Sequence, residues 1–440
     1  MRILLVSTYE LGRQPFGLAS AAAWLRARGH TVDCADLAVE AFPQAAVREA
    51  AVIAFFLPMH TATRLAARAI ERARALNPAA RLGCFGLYAP LNEAYLRGLG
   101  VEIVIGGEFE QPLADAIEGR PAGATAVSTG RQKFLVPDRT GLAPLSDYAH
   151  LHVNGEVKLT GYTEASRGCK HLCRHCPVVP VYNGRFRVVP PEVVLEDIRR
   201  QVAAGAGHIS FGDPDFFNGP AHAVRIVREL ADRFRGLTYD VTVKVEHLLK
   251  HRDLVPVLRE TGCLFVTTAV ESIEDEVLRR LEKGHTRDDF MEVVRACREA
   301  GLTLAPTFIP FTPWTTRAGY RNLLRLLVEL DLVDQVAPVQ LGLRLLVTAG
   351  SRLLELPEIA AAIGEFDRAA LVYPWRHADP SLDELSDAVL ALAAREQKNH
   401  ASRREIFAKI WHLAADAPLP ENFDLLPRAA IPYLNEPWYC

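Results

Sequence analysis

The sequence predicts an α/β protein: a parallel sheet first, a partial (β/α)6 barrel second and a helical extension last. Three observations carry that expectation. Short β-branched runs alternate with helix-length amphipathic stretches from Arg2 onward, and the alternation resumes after Lys158. Between them the chain fills with Gly, Pro and small polar residues and loses its periodicity. Beyond Ser351 it turns helical and then Pro-rich. The expected boundaries are 1–120 for the first sheet, 121–157 for a linker, 158–350 for the barrel and 351–440 for the helical region with its cysteine-ending tail.

In the first unit the runs RILLVSTY, TVDCADL, AVIAFFLPM, RLGCFGLYA and VEIVIGGEF read as strands, separated by segments such as TATRLAARAIERARALNP. Parallel sheets of this kind bind ligands beyond the carboxyl ends of their strands. That rule places Tyr9 to Gly17, Pro58 to Thr63 and Gly106 to Glu108 around one crevice. Gly106 and Gly107 either let the backbone approach a ligand or make a turn before the next helix. In the second unit, strand-like KLTGYTEAS precedes a cysteine loop, and the strands HISFGD, YDVTVKV, LFVTTAVES, LTLAPTFIP and QVAPVQLGLRLL alternate with helices. Chemistry in barrels sits at the carboxyl ends of the strands, where the cysteine loop, GDPD, Glu246, Glu271 and Arg344 converge.

A chain of 440 residues, 49% hydrophobic and 23% charged, can bury a large core in two or three domains. The net charge of −3 and the scattered basic residues argue against nucleic acid or an anionic membrane as partner, which leaves a small molecule. The apolar start MRILLVSTYELG is too short for a signal peptide and no segment approaches a membrane span, so a cytoplasmic protein is expected. Three of the eight cysteines fall in SRGCKHLCRHC, residues 166–176. In a cytosolic chain such clustering points to metal or redox chemistry rather than to a disulfide framework. Four thiolates would close a metal site; Cys169, Cys173 and Cys176 leave one position open. A zinc completed by His171 or His175 is the other reading, and would make the chain a non-enzymatic sensor. Cys34, Cys84, Cys263 and Cys297 read as packing residues; Tyr9 and His60 line the expected crevice, where a lone strand-end histidine such as His60 is more often structural.

CxxxCxxC followed by a βα barrel resembles the radical S-adenosylmethionine superfamily, over roughly Thr160 to Gly350. The resemblance implies that Cys169, Cys173 and Cys176 bind a [4Fe–4S] cluster whose fourth iron takes the methionine part of S-adenosylmethionine. It also implies an electron donor such as flavodoxin or ferredoxin. SFGDPDFF resembles the second-strand motif that meets the methionyl amine, through Asp213 and Asp215; a helix-capping role is the alternative. VTTAVESIEDEVLRRLEKGHT is similar to a fourth-strand stretch of the cobalamin-type and tRNA-modifying branches, where Glu271 would contact ribose hydroxyls. Glu246 is a second ribose candidate. Arg344 resembles a late-strand arginine near the cosubstrate carboxylate, with a salt-bridged strand-end arginine as the alternative.

The first unit resembles the Rossmann-like, B12-binding domain of the cobalamin-dependent branch through FFLPMHTAT and IGGE. Its loop STYELGRQPFG contains no histidine for the DxHxxG lower-ligand motif, so cobalamin stays open. The start YELGRQPFGLASAAAWLRARGHTVDCADLAVEAF and the end NEPWYC together resemble radical S-adenosylmethionine proteins with a Cys-Cys-Ala-Glu-Pro or Cys-selenocysteine-Ala-Glu-Pro tail. The chain stops at Cys440, where the second Cys or selenocysteine would follow, so truncation at a selenocysteine codon is expected. Members of that group look like the enzymes of arsinothricin biosynthesis. The resemblance implies transfer of a 3-amino-3-carboxypropyl group from S-adenosylmethionine to arsenite held by Cys440, since soft thiolates suit a thiophilic atom. The alternative is a cobalamin-dependent methyltransferase or cyclase using a 5′-deoxyadenosyl radical.

Overall fold

The computed structural model describes residues 1–120, 125–415, 418–420, 423, 433 and 434. The first sheet is parallel and consists of β1 (Arg2–Ser7), β2 (Thr31–Asp36), β3 (Val52–Phe56), β4 (Arg81–Phe85), β5 (Ile103–Gly107) and β6 (Val127–Ser128). Their order is β2-β1-β3-β4-β5-β6, so the chain reverses direction across the sheet between β1 and β3. In such sheets that reversal opens the ligand crevice. β3 is buried along its whole length, as a central strand covered by helices on both faces must be. Helix His60–Leu76 shows why: Ala62, Ala66, Ala69, Ile70 and Ala73 form one buried stripe, and small alanines let it lie close to the strands.

The second sheet runs β14-β13-β12-β11-β8-β7-β15 and curls as a half-barrel. Its parallel part is β8 (Glu156–Thr163), β11 (His208–Phe211), β12 (Thr238–Thr242), β13 (Cys263–Glu271) and β14 (Thr303–Phe308). β7 (His150–Val153) and β15 (Tyr433–Leu434) add antiparallel strands at one edge. β9 (Ser166–Gly168) and β10 (Phe186–Val188) make a short antiparallel pair around the cysteine loop. Helices Pro380–Lys398 and Arg403–Ala414 pack on the half-barrel through Leu382, Leu385, Val389, Ile406, Phe407 and Ile410.

The structure adds two details to the expected plan. The supposed linker contributes β6 to the first sheet and β7 to the second. β7 and β8 are joined by Asn154 and Gly155, both at positive φ (50° and 79°), the conformation that favours Asn-Gly in two-residue hairpins. The sixth barrel strand is reduced to a single bridge between Phe311 and Arg344, because residues 338–342 wind into a 3-10 turn first.

The two sheets are bolted together by buried charges. Arg139 donates to both Asp197 oxygens at 3.0 and 2.9 Å, to Gln14 Oε1 at 2.8 Å and to the Tyr162 carbonyl at 2.7 Å. Arg167, two residues before Cys169, lies among Glu110 (2.6 Å), Glu164 (2.6 Å) and Glu108 (3.7 Å). Replacing one member of such a pair strands the other, at a cost of about 3–5 kcal/mol. Arg139→Met is therefore expected to destabilise the protein by about that amount, read as a lower denaturation midpoint under anaerobic conditions; an unchanged midpoint would show the junction to be dispensable.

Candidate active site

The cysteine loop is held at its entrance from below. Asp213 accepts the Ala165 N–H at 2.8 Å and the Ser166 hydroxyl at 2.5 Å. Asn218 accepts the Lys170 N–H at 3.1 Å and donates to the Gly168 carbonyl at 3.3 Å. Gly168 turns at φ 75°, and a Cβ there would lie 2.5 Å from the Arg185 carbonyl oxygen, so the sharp exit from β9 requires glycine. Farther along, the Arg174 N–H donates to the Leu281 carbonyl at 3.0 Å, tying the loop to the segment after β13.

Cys169, Cys173 and Cys176 are free thiols. Burial pushes the Cys169 thiol up to about 11 and the Cys176 thiol up to about 12. Thiols in that state release their protons when a cation compensates the charge, as a coordinated metal does. Two lysines add positive charge: Lys244 Nζ lies 3.6 Å from Cys173 Sγ, and buried Lys283 feels both Cys173 and Cys176. Glu271 accepts from Lys283 Nζ at 3.2 Å and pairs with His175 Nε2 at 3.0 Å. Burial opposes ionisation of Glu271, yet Lys283 and His175 outweigh it and bring the carboxyl down to about 2. Its backbone sits at φ 67° beside a register shift in β13. Irregularities of this kind aim side chains at sites.

On the other side of the loop, Asp215 caps the turn Phe216–Asn218 by accepting the Phe217 N–H at 3.2 Å. Its Oδ2 lies 2.6 Å from His247 Nδ1 and 3.4 Å from His171 Nε2. Burial raises its pKa, and the two imidazoles reverse that effect. Glu246 Oε2 lies 3.3 Å from His171 Nδ1 and 3.5 Å from Lys244 Nζ.

The structure thus gathers Cys169, Cys173, Cys176, Asp215, Glu246 and Glu271 around one loop. Asp213 stands behind it, with both its oxygens holding the lead-in strand through Ala165 and Ser166. Arg344 is engaged elsewhere. It pairs with Asp383 at 2.5 Å, donates to the Trp375 carbonyl at 3.0 Å and lies over the Trp375 ring at 4.0 Å. Cys440 lies outside the described residues. The sequence reading missed Lys244, Lys283 and His247, although Lys283 stands inside the quoted EKGHT stretch.

A chamber of about 240 Å³ opens where the carboxyl ends of the two sheets face each other. Glu10, Arg13, Phe56 and Phe109 line it from the first sheet, and Tyr162 and Gly168 from the second. Gly107 also lines it, but the reason for glycine is packing: at φ 76°, a Cβ would fall 2.0 Å from the Ser128 carbonyl oxygen.

Residues 163–327 match the model of the radical SAM superfamily. This segment is a radical S-adenosylmethionine domain. Among curated relatives, the ribosomal protein uS12 methylthiotransferase RimO of Porphyromonas gingivalis is 25% identical over 37% of this chain and 40% of its own length. The tRNA-2-methylthio-N(6)-dimethylallyladenosine synthase of Desulfosudis oleivorans is 29% identical over 40% of this chain and 38% of its own. The chain thus spans about two fifths of the length of these relatives. The fold is that of the radical S-adenosylmethionine methyltransferase TsrM from Kitasatospora setae, with TM-score 0.63, 18% identity and coverage of 82% and 76% of the two chains. It is also that of the cobalamin-dependent enzyme OxsB, with TM-score 0.65, 14% identity and coverage of 88% and 66%.

The radical SAM domain implies a [4Fe–4S] cluster and S-adenosylmethionine, and the residues fit both. Three clustered thiols, two buried and one half-buried, with lysines beside them suit a cluster with one open iron. His175 Nδ1 and both ring nitrogens of His285 are buried without hydrogen-bond partners, which suits a polar cosubstrate. The donor atoms of Cys169, His171 and Asp215 lie within 4.8 Å of one another, giving the zinc reading a geometric counterpart. That arrangement leaves Cys173 and Cys176 without a role. A corrinoid fits less well: the chamber is smaller than the roughly 300–1,000 Å³ pockets of drug-sized ligands, and a corrinoid is larger than those. No histidine lines it among the described residues.

Replacing any of the three loop cysteines by Ala is expected to lower iron after anaerobic reconstitution from about four per chain to a small remainder, measured by metal analysis. Zinc at one per chain in the unaltered protein would contradict the cluster. A second prediction concerns Asp213, which burial pushes up to about 7 against the hydrogen bonds from Ser166 and Ala165. The folded value exceeds the unfolded value of about 3.9, so its contribution to stability is full below pH 4 and declines as pH rises toward 7. Asp213→Asn should remove that decline, read as the difference between the two melting-temperature profiles over pH 4–7.

Proposed function

We propose that the chain is a radical S-adenosylmethionine transferase acting on a small molecule held between its two sheets. The observation that carries this reading is the loop of three clustered thiols that starts one residue beyond Gly168, which itself lines the chamber. Cys169, Cys173 and Cys176 would hold the cluster, which with S-adenosylmethionine supplies reductive cleavage of a carbon–sulfur bond. Lys244 and Lys283 would offset the negative charge of the ligated thiolates. Glu271 fixes Lys283 and His175 against the loop. Glu246, its side chain 40% exposed, would offer a carboxylate to ribose hydroxyls.

The finer proposal is transfer of the 3-amino-3-carboxypropyl group to trivalent arsenic. Its support is the resemblance of the tail ending in Cys440, together with the affinity of thiolates for soft atoms. A second reading, cobalamin-dependent methyl transfer, is favoured by the shared fold of TsrM and OxsB, while the chamber volume weighs against it. Anaerobic turnover with dithionite and S-adenosylmethionine, with and without arsenite, separates the readings by mass spectrometry of the nucleoside. The first expects 5′-methylthioadenosine that rises with arsenite, along with an amino-carboxypropyl arsenical. 5′-Deoxyadenosine would overturn it in favour of an organic substrate, and no cleavage at all would overturn the transferase reading.

A further inference from the structure

The turn after β1 presents two ionisable side chains to the chamber, and no hydrogen bond reaches Glu10 Oε2 or Arg13 Nε. Glu10 is 5% exposed, its Oε2 is buried and no hydrogen bond reaches it. Arg13 Nε is likewise buried without a partner. The two are held close in the chain by a tight turn in which Leu11 adopts φ 51° and the Arg13 N–H donates to the Glu10 carbonyl at 2.9 Å. Left-handed backbone at a leucine is strained, and such strain gathers at ligand sites. Among the described residues no ion pair joins Glu10 to Arg13. The other charges of the chamber are satisfied: Glu164 by Arg167 at 2.6 Å, and Arg167 additionally by Glu110.

Burying the Glu10 carboxyl and the Arg13 Nε without hydrogen-bond partners is unfavourable, and burial raises the Glu10 pKa for that reason. A ligand that brings an ammonium to one and a carboxylate to the other removes the penalty and gains two charge-assisted contacts. The walls supply the rest of the recognition, with Phe56, Phe109 and Tyr162 around the space and the Arg13 guanidinium 5.0 Å above the Tyr162 ring.

We propose that the chamber binds a small α-amino acid as its zwitterion, with the ammonium on Glu10, the carboxylate on Arg13 and the side chain among the aromatic rings. This rests on the reading of the chamber as the substrate site and names its substrate class. Such a zwitterion has two sources: a free aromatic amino acid, or the amino-carboxypropyl group in its transferred form. L-Tryptophan and L-2-aminobutyrate represent them.

The test is anaerobic isothermal titration of the cluster-loaded protein with each of these probes, and with their N-acetyl and methyl-ester derivatives. S-adenosylmethionine and reductant are omitted, so the outcome is independent of whether a carbon–sulfur bond can be cleaved. Saturable binding of at least one amino acid is expected, weakened about tenfold or more by either derivatisation. Glu10→Gln and Arg13→Gln should each weaken the parent amino acid similarly, while Glu10→Gln leaves binding of the N-acetyl form as it was. Tryptophan binding alone identifies an aromatic substrate, and aminobutyrate binding alone identifies the transferred group. The proposal is overturned if neither probe binds, or if the blocked derivatives bind as well as the parents. Binding that survives Glu10→Gln but vanishes in cluster-free Cys169→Ala would belong to the iron and overturn it equally.

Discussion

Everything near the cysteine loop depends on one buried guanidinium. Arg167 carries its charge in the interior only because Glu108, Glu110 and Glu164 surround it and because the rings of Phe16, Phe109 and Phe134 lie 5.0–5.6 Å away. A planar fork with five donors can serve several carboxylates at once, which an ammonium on a flexible stem does less well. Two of those carboxylates come from the end of β5 and one from the segment between β8 and β9. The ion cluster therefore fixes where Cys169 stands relative to the first sheet. Three carboxylates around one guanidinium cannot share its charge equally. Glu110 is held ionised against its burial, while burial pushes Glu108 up to about 7.

A division of labour follows from the same economy of charge. Asp213 and Asn218 spend their hydrogen bonds on the backbone entering the loop, whereas Asp215, Glu246 and Glu271 face histidines and lysines beside the thiols. The positions nearest the cysteines are thus neutralised in pairs. Among these pairs Glu271 is held most firmly, its carboxyl brought down, against its burial, to about 2 by Lys283 and His175.

Much of this architecture was legible in the chain, because strand and helix periods are local. The five runs from Arg2 to Gly107 became five strands, and the three clustered cysteines became one loop. What failed was of two kinds. The Asn154-Gly155 hairpin carried a sound local signal, but its loop-like neighbours masked it. Arg167 with Glu110, Arg139 with Asp197 and Arg344 with Asp383 are separated by 57, 58 and 39 positions. Isolated charges in a sequence read as solvated surface, and only the closed fold reveals which of them meet. Lys283 lies between these cases: its stretch has a recognisable pattern, but the lysine's partner Glu271 is met only through the turn that follows β13.

The chamber has no owner: one wall is the turn after β1, the other is the strand leading to Cys169, and Arg139 and Arg167 clamp the seam between them. The two halves therefore cannot diverge independently. A chimera that borrowed a barrel from one relative and a first sheet from another would inherit mismatched walls and severed ion pairs even where each half folded well.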